Sequence, residues 1–297
     1  MELQSRLDSL KAQGLGLAVI SYDTPEVMVA FSKLRGITFP MLADPGSVII
    51  KRFGLLNPVP EMSIDPARKD DPLVKQETAK YVSVVNPRAS MVGIAFPGTF
   101  LLDRRGKVTS RFFEDFYIER NTASSLMLKL GLGADSVAGT EIASAHLNLR
   151  TYPSDAAVAP GNRFTLVLDL TPAPGVHVYA PGAKGYRAVA LKIDSQPFVR
   201  PLELHFPKSE IYHFKPLNDR VPVYQKPFQL RYEIVLEGAP PAQAAFRGKD
   251  SVTITGTLEY QACDDKQCFN PVNVPLSWRL TLRELIRTPT LPAKPKP

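Results

Sequence analysis

The N-terminal part of the chain alternates between helical and strand-like patterns of apolar positions. Thr24 is a residue type that caps helices, Pro25 suits a first helical position, and Gly36 suits a helix end. The short apolar runs are typical of buried parallel strands. The pattern predicts the order helix, strand, helix, strand, helix at residues 2–13, 15–21, 25–34, 39–44 and 48–54.

Residues 57–96 interrupt this alternation with prolines and charges, and they predict an insertion or long loop with a short helix at 73–80. Regularity returns at 98–103 and 107–113, two strand-like runs joined by a glycine-containing turn, which predict a hairpin. A last helix is predicted at 122–130.

Beyond this helix the pattern contains only short strand-like runs between proline and glycine turns, which indicates a β-sandwich. The predicted strands are 163–170, 176–179, 188–193, 202–206, 228–236, 252–260 and 272–282. We therefore expect an α/β domain at 1–133, a linker at 134–146, a sandwich at 147–285 and an extended proline-rich tail at 286–297.

The amino-acid composition and charge exclude several classes of protein. Apolar residues form 44% and charged residues 22% of the 297, which excludes disorder, collagen and coiled coil for the whole chain. The net charge is +7, but the sequence contains no lysine- or arginine-rich block, so we expect no nucleic-acid partner. No apolar run reaches the roughly 18–20 residues of a membrane span, and the N-terminus lacks a signal-peptide pattern.

The chain has two cysteines, Cys263 and Cys268, which are too few for a disulfide scaffold or a four-thiolate zinc site. The four histidines are scattered and lack the spacing of a helical metal pair. We therefore expect no structural metal and no bound cofactor.

The first half resembles the peroxiredoxin branch (AhpC/TSA, or redoxin) of the thioredoxin-like fold. The resemblance lies in the order of elements and in residues 16–26, 39–45 and 97–108. Pro97 stands where the family carries a proline beside its active site, often after a cis peptide bond, so the resemblance implies a cis bond there.

This half departs from the family at its reactive end. The family's cysteine lies at the start of the first helix, where the helix N-terminus lowers the thiol pKa. Here the chain begins within that helix, and residues 1–262 contain no cysteine. We expect a thioredoxin-like domain whose first strand and reactive cysteine lie upstream of Met1, or a domain that has become a binding module.

Cys263 and Cys268 are separated by four residues that can form a tight turn, so a disulfide can close between them. Closing so short a loop removes little entropy from the unfolded chain, and such bonds are among the more easily reduced. A local structural disulfide and a pair of reduced thiols remain alternatives.

The second half resembles the N-terminal periplasmic domain of thiol:disulfide interchange protein DsbD, an immunoglobulin-like sandwich that relays electrons through a cysteine pair. The matching segments are 176–179, 208–212, 260–269 and 274–276. The cysteine spacing is one residue shorter than the family's. The resemblance implies that Cys263 and Cys268 are the redox pair and that a loop within Lys208–Tyr224 covers them.

Several side chains are candidates to support this pair. Tyr179, Tyr212 and Phe269 are predicted apolar cover for the sulfurs, with ordinary core packing as the alternative for each. Lys266 would lower the pKa of a nearby thiol, whereas Asp264 and Asp265 would raise it. The more exposed and more acidic thiol is expected to be the nucleophile.

The sequence thus predicts an α/β thioredoxin-like domain followed by an all-β immunoglobulin-like sandwich. The expected function is extracytoplasmic thiol–disulfide exchange through Cys263 and Cys268, with another redox protein, either free or membrane-bound, as partner. The alternatives are a binding module with a structural disulfide, and a fragment of a thiol peroxidase whose cysteine lies upstream of Met1.

Overall fold

The computed structural model describes residues 2–82, 89–113, 119–132, 137–214 and 219–284. It divides into two compact units. The first comprises residues up to Ala123 with Gly238–Pro241, and the second comprises Ser124–Glu237 and Ala242–Glu284. The predicted tail at 286–297 lies outside the described residues.

The first unit is built from short helices and strands. In chain order they are α1 (Glu2–Ser5), α2 (Leu7–Ala12), β1 (Val19–Ser21), α3 (Pro25–Arg35), β2 (Met41–Ala43), α4 (Val48–Arg52), α5 (Val59–Ile64), α6 (Pro72–Val82), a 3₁₀ turn at Ala89–Met91, β3 (Gly98–Leu102), β4 (Val108–Phe113) and β5 (Arg120–Asn121).

The α/β alternation predicted for this unit is confirmed. Strands β1 and β2 pair in parallel, and β3 and β4 form the predicted antiparallel hairpin. Helix α3 has Pro25 at its first position and ends at Gly36, whose φ of 61° is the left-handed value that glycine adopts readily. Leu7 of α2 and Phe39 before β2 share a small buried cluster with Ile37.

The segment 57–96 is more helical than its composition predicts. Asn57 is buried, and its Oδ1 atom accepts a hydrogen bond of 3.0 Å from the N–H of Val59 at the start of α5. This contact lets a helix begin in a stretch that contains several prolines. Part of the predicted insertion, 83–88, lies outside the described residues.

The cis peptide bond expected before Pro97 is absent. All peptide bonds among the described residues are trans, including the one between Phe96 and Pro97. The N–H of Phe96 donates to the Leu55 carbonyl at 2.7 Å, and the chain enters β3 directly after Pro97. The trans form is the ordinary preference of an X–Pro bond, so the family feature implied by the resemblance is wrong here.

The second unit begins within helix α7 (Ala123–Lys129), at Ser124, and strands follow. They are β6 (Thr140–Ser144), β7 (Leu147–Pro153), β8 (Ala157–Val158), β9 (Asn162–Pro172), β10 (His177–Tyr179), β11 (Ala190–Ile193), β12 (Val199–His205), β13 (Glu210–Phe214), β14 (Asp219–Tyr224), β15 (Phe228–Leu236), β16 (Ser251–Tyr260), β17 (Ala262–Cys263) and β18 (Val272–Leu282), with helix α8 (Pro240–Phe246) between β15 and β16.

These strands form three sheets. One contains β12, β15, β9, β7 and β6 as successive neighbours, a second has the order β11, β16, β18, β8, and a third has the order β13, β14, β10, β17. Each strand predicted from the pattern is present. The structure adds the short strands β8 and β17, the hairpin of β13 and β14, and strand β7. It also adds β6, which lies inside the segment predicted as linker and pairs with β7.

The main core of this unit is formed by the inward-facing residues of the long strands. Alternate positions are buried along β16 and β18, as expected when one face of each strand packs against another sheet. The largest fully buried members include Phe164, Leu166, Leu168, Leu230, Ile234, Ile254, Leu258 and Tyr260. Trp278 packs among them, and its indole N–H donates to Thr151 Oγ1 at 2.8 Å.

Helix α7 packs on the sandwich, although the sequence pattern assigns it to the first domain. Its last residue, Lys129, pairs with Glu233 of β15 at 3.0 Å, and Arg163 of β9 binds the other carboxylate oxygen of Glu233. Arg231 also donates to the carbonyl of Leu128 at 2.8 Å. A buried carboxylate thus ties the helix to two strands.

The charge state of Glu233 follows from this pairing. Its side chain is 6% exposed. Burial alone would raise the pKa of Glu233, but the charges of Lys129 and Arg163 together lower it below its ordinary value. The carboxylate of Glu233 is therefore ionised at every pH at which an unpaired glutamate would be ionised.

Replacing Glu233 with glutamine is expected to destabilise the protein by about 3 kcal/mol at neutral pH, because Lys129 and Arg163 lose their shared counter-charge. Since the folded-state pKa is depressed, the carboxylate's contribution is fully present above the ordinary value of 4.5 and is lost as the pH falls below it. Urea unfolding of both proteins across this range measures the difference.

The matched control is Glu210→Gln. Glu210 pairs with Lys226 at 3.0 Å, but the two side chains are 47% and 78% exposed. Its loss should cost less than about 1 kcal/mol. Equal losses for the two variants at neutral pH would contradict the role given to Glu233.

Candidate functional site

The two cysteines form a disulfide across a tight turn at the end of the third sheet. Cys263 ends β17 and pairs with His177 of β10, and it is bonded to Cys268, whose Cα atom lies 4.1 Å away. Cys263 is 1% exposed, whereas Cys268 is an exposed residue. The bond therefore joins a buried residue to an exposed one.

The turn between the cysteines is held by Asp264. Its Oδ1 atom accepts hydrogen bonds from the N–H groups of Lys266 and Gln267 at 2.8 and 2.7 Å. The bond from Gln267 and then that from Lys266 lower the pKa of Asp264, because they favour the charged carboxylate. Lys266 is exposed and contributes its backbone N–H to the turn.

Tyr179 lies against both sulfurs. Its hydroxyl oxygen is 3.0 Å from Cys263 Sγ and 3.4 Å from Cys268 Sγ. The ring stacks on Tyr186 with centroids 4.1 Å apart, and the hydroxyl of Tyr186 donates to Asp219 at 3.1 Å. Burial first, and Tyr186 and Asp219 after it, raise the pKa of Tyr179, so this hydroxyl stays protonated and can donate.

The ring of Tyr212 contacts His177, which in turn contacts Tyr179. The Tyr212 and His177 ring centroids are 4.4 Å apart, and His177 contacts Tyr179 edge to face at 5.4 Å. Burial lowers the pKa of His177, although Asp264 acts in the opposite direction. Tyr212 lies on the β13–β14 hairpin, which occupies the segment Lys208–Tyr224 predicted as cover; residues 215–218 of that segment lie outside the described part.

We call this group of side chains the redox cluster. It contains Tyr179, Tyr186, Tyr212, Val221, Val223 and Cys263. Phe269 is placed elsewhere: it packs against the main core and stacks on His146 at 3.6 Å. Pro97 belongs to the first unit and is not a member of the redox cluster.

Sequence reasoning missed four residues around the disulfide. Tyr186 and Asp219 come from segments without a clear period, so no pattern signals that they meet Tyr179. The segment 176–179 that resembles the DsbD N-terminal domain includes His177, but the resemblance predicts no role for it. His146 lies in a two-residue turn between β6 and β7, a hairpin that the pattern did not reveal.

Within the described ranges, no three His, Cys, Asp or Glu side chains are grouped so that they could hold a metal ion. No described helix has the length and apolar character needed to cross a membrane.

Two family descriptions match separate parts of the chain. Residues 1–111 match the AhpC/TSA family, and residues 150–274 match the N-terminal domain of thiol:disulfide interchange protein DsbD. No curated protein matches the chain.

Solved structures similar to the chain include two N-terminal domains of bacterial proteins. The DsbD N-terminal domain of Neisseria meningitidis in its reduced form is 16% identical, with 39% of this chain and 81% of that one covered at a TM-score of 0.27. The N-terminal periplasmic domain of ScsB from Proteus mirabilis is 14% identical, with 49% and 51% covered at a TM-score of 0.34. The chain thus spans about half the length of the ScsB domain.

The predicted fold class is confirmed by the two family matches and by the order of helices and strands. A mixed α/β region with a thioredoxin-like family match precedes a strand-rich region of the immunoglobulin-like β fold. The two matches together with the cysteine pair point to thiol–disulfide redox chemistry, and they place an AhpC/TSA-like region and a DsbD N-terminal-like region in one chain.

Proposed function

We propose that the Cys263–Cys268 pair exchanges disulfide for dithiol with another thiol redox protein, through a mixed disulfide at Cys268. The observation that carries this proposal is the unequal exposure of the two residues, since Cys263 is 1% exposed and Cys268 lies at the surface. A partner thiolate must approach along the disulfide axis, and only the surface sulfur offers that approach.

The proposed exchange takes place in two steps. A partner thiolate attacks Cys268 Sγ, the bond between the two cysteines breaks, and Cys263 leaves as a thiolate that takes up a proton. A second partner thiolate then attacks the partner's own sulfur in the mixed disulfide and releases the Cys268 thiolate. Two electrons pass from the partner to this chain, and the reverse sequence passes them back.

Tyr179 assists the departure of Cys263. A thiolate accepts a hydrogen bond far more strongly than a disulfide sulfur does, so a hydroxyl 3.0 Å away stabilises the charge as it develops. The raised pKa of Tyr179 keeps this donor protonated at the pH of thiol exchange. Stacking on Tyr186 holds the ring in place.

The first unit contributes no sulfur to this exchange. Residues 1–262 contain no cysteine, so the electrons of the pair come from, or go to, a cysteine outside these residues. A location outside the cytoplasm suits a protein with a disulfide, because such compartments are oxidising. The match to the DsbD N-terminal domain supports that location.

A structural disulfide in a binding module is the second candidate. Cys263 pairs with a buried strand, which would also suit a bond that only fixes the turn. The short loop argues against this, since closing it restricts the unfolded chain little. A fragment of a thiol peroxidase is the third candidate, and it requires a cysteine beyond this sequence.

Replacement of each cysteine by alanine separates their roles. With glutathione disulfide as the probe, folded Cys263→Ala is expected to form a mixed disulfide through Cys268 at least about tenfold faster than folded Cys268→Ala does through Cys263. Mass spectrometry of quenched samples measures both rates.

The control is the same reaction in denaturant, where both thiols are accessible and the two rates should converge. Equal rates in the folded variants, or faster reaction at Cys263, would refute the assignment of Cys268 as the entry sulfur. A disulfide in the unchanged chain that resists excess reduced dithiothreitol would favour the structural candidate.

Substitution of Tyr179 by phenylalanine keeps the ring and removes the hydroxyl. Reduction of the disulfide by dithiothreitol is expected to slow by about tenfold, because a hydrogen bond to the departing thiolate is lost. Stopped-flow measurement with alkylation quench gives the rate. Tyr224→Phe is the matched control, because the Tyr224 hydroxyl donates to the Pro207 carbonyl and not to sulfur. Equal rates for both variants would rule out the role given to Tyr179.

A further inference from the structure

A cavity of about 490 Å³ lies in the second unit, beside the end of helix α7. Strands β7 and β15 form one side of it, and the end of β12 with the two residues that follow closes another. All its lining residues belong to the second unit, and residues 133–136, outside the described part, are not included in the site. Pockets for small organic molecules have volumes of about 300–1,000 Å³, so this volume suits such a ligand.

The antiparallel sheet brings Tyr152 and Arg231 to one wall of the cavity. Both residues are paired with Val167 of β9, Tyr152 from β7 and Arg231 from β15. Leu230, the neighbour of Arg231, is fully buried in the main core. Because successive side chains along a strand point to opposite faces, Arg231 points away from that core and into the cavity.

The carboxylates on this face of the sheet are already engaged by the protein. Arg150 and Gln229 lie on either side of Asp169. Asp169 accepts a hydrogen bond of 2.8 Å from Gln229 Nε2 and another from the hydroxyl of Tyr152. Burial, and after it the charge of Asp169, raise the pKa of Tyr152, so this hydroxyl stays protonated. Glu233 is held by the two cationic partners described above.

Two arginines and no carboxylate line the cavity among the described residues. Arg231 donates through Nη1 to the Leu128 carbonyl at 2.8 Å, a neutral acceptor that orients the guanidinium and leaves its charge. Arg150 has its Cζ atom 4.9 Å from the centre of the Tyr152 ring. Its ion pair with Glu141 is 4.0 Å long, between side chains that are 41% and 78% exposed. Such an exposed pair contributes little, so both guanidinium groups present positive charge to the cavity.

The remaining wall is largely apolar. Leu128, Leu132 and Val137 line it on the side of α7, and Phe206 and Pro207 line it after β12. Transfer of an apolar ligand surface from water to such a wall is favourable. The cavity therefore combines an anion-binding side with an apolar side, and it is built for a molecule that has both kinds of group.

We propose that this cavity binds a small organic acid through its carboxylate group. The guanidinium of Arg231 is the primary partner, because its planar fork of N–H donors matches the two oxygens of a carboxylate and the Leu128 carbonyl uses only one of those donors. Arg150 adds a second positive charge, and the apolar wall holds the hydrocarbon part of the ligand. None of the lining residues belongs to the redox cluster, so this binding goes beyond the proposed thiol exchange.

Isothermal titration calorimetry of the full chain tests the proposal with three acids, 4-phenylbutyrate, octanoate and indole-3-acetate, and with the amide of each. At least one acid is expected to bind saturably and at least about tenfold more tightly than its amide, because the amide lacks the charge that the arginines attract. Phenyl phosphate is titrated alongside as an anion of a different class.

Three substitutions locate the binding. Arg231→Gln is expected to weaken binding of the acid by at least about tenfold and to remove most of the difference between acid and amide. Arg150→Gln, at a side chain that does not hold α7, should weaken it by about threefold, and it serves if Arg231→Gln fails to fold. Arg279→Gln, at an exposed position of β18 in another sheet, is the matched control and should leave the affinity unchanged.

Absence of saturable binding by all three acids, equal affinities for acid and amide, or the same loss in Arg279→Gln as in the cavity variants would overturn the proposal. Tighter binding of phenyl phosphate than of every acid would refute the assignment to a carboxylate. The chain with both cysteines replaced by alanine should bind the acid as the unchanged chain does. The thiol-exchange proposal and the acid-binding proposal therefore stand or fall by separate measurements.

Discussion

The antiparallel pairing of β10 with β17 is the constraint on which the redox cluster depends. It sets His177 opposite Cys263. Since side chains two residues apart share one face of a strand, Tyr179 projects on the same side as His177. The hydroxyl of Tyr179 therefore meets the buried sulfur without help from a flexible loop. A shift of one residue in this pairing would turn Tyr179 to the opposite face and leave the disulfide without its donor.

In the second unit, the side chains of the main core and those packed around the disulfide form two separate groups. The main core lies between long strands and consists of leucine, isoleucine, valine and aromatic side chains, whereas the redox cluster is a smaller group at a separate sheet. The ring of Tyr260 lies in the main core, and its hydroxyl donates to the Ala145 carbonyl in the turn between β6 and β7. Cys263 belongs to the smaller cluster and not to the main core.

Much of the fold could be predicted from the sequence because β9 and β16 alternate apolar and polar residues, and Gly161 and Pro172 mark the two ends of β9. The cysteine pair was evident from spacing and resemblance. The side chains around it were only partly predictable. Tyr179 was identified from a conspicuous segment, but Tyr186 and Asp219 reach it through loop and hairpin geometry that no local period encodes. Phe269 is predicted from the sequence as apolar cover for the sulfurs, but its ring stacks on His146 and packs against the main core.

The equilibrium reduction potential of the Cys263–Cys268 bond tests the central claim most directly. The full chain would be equilibrated in glutathione or dithiothreitol buffers of defined ratio, and the free thiols would be trapped and counted by mass. An exchanging pair predicts a value above about −300 mV, within reach of cellular thiol redox proteins. A value well below that, typical of structural disulfides, would contradict the account.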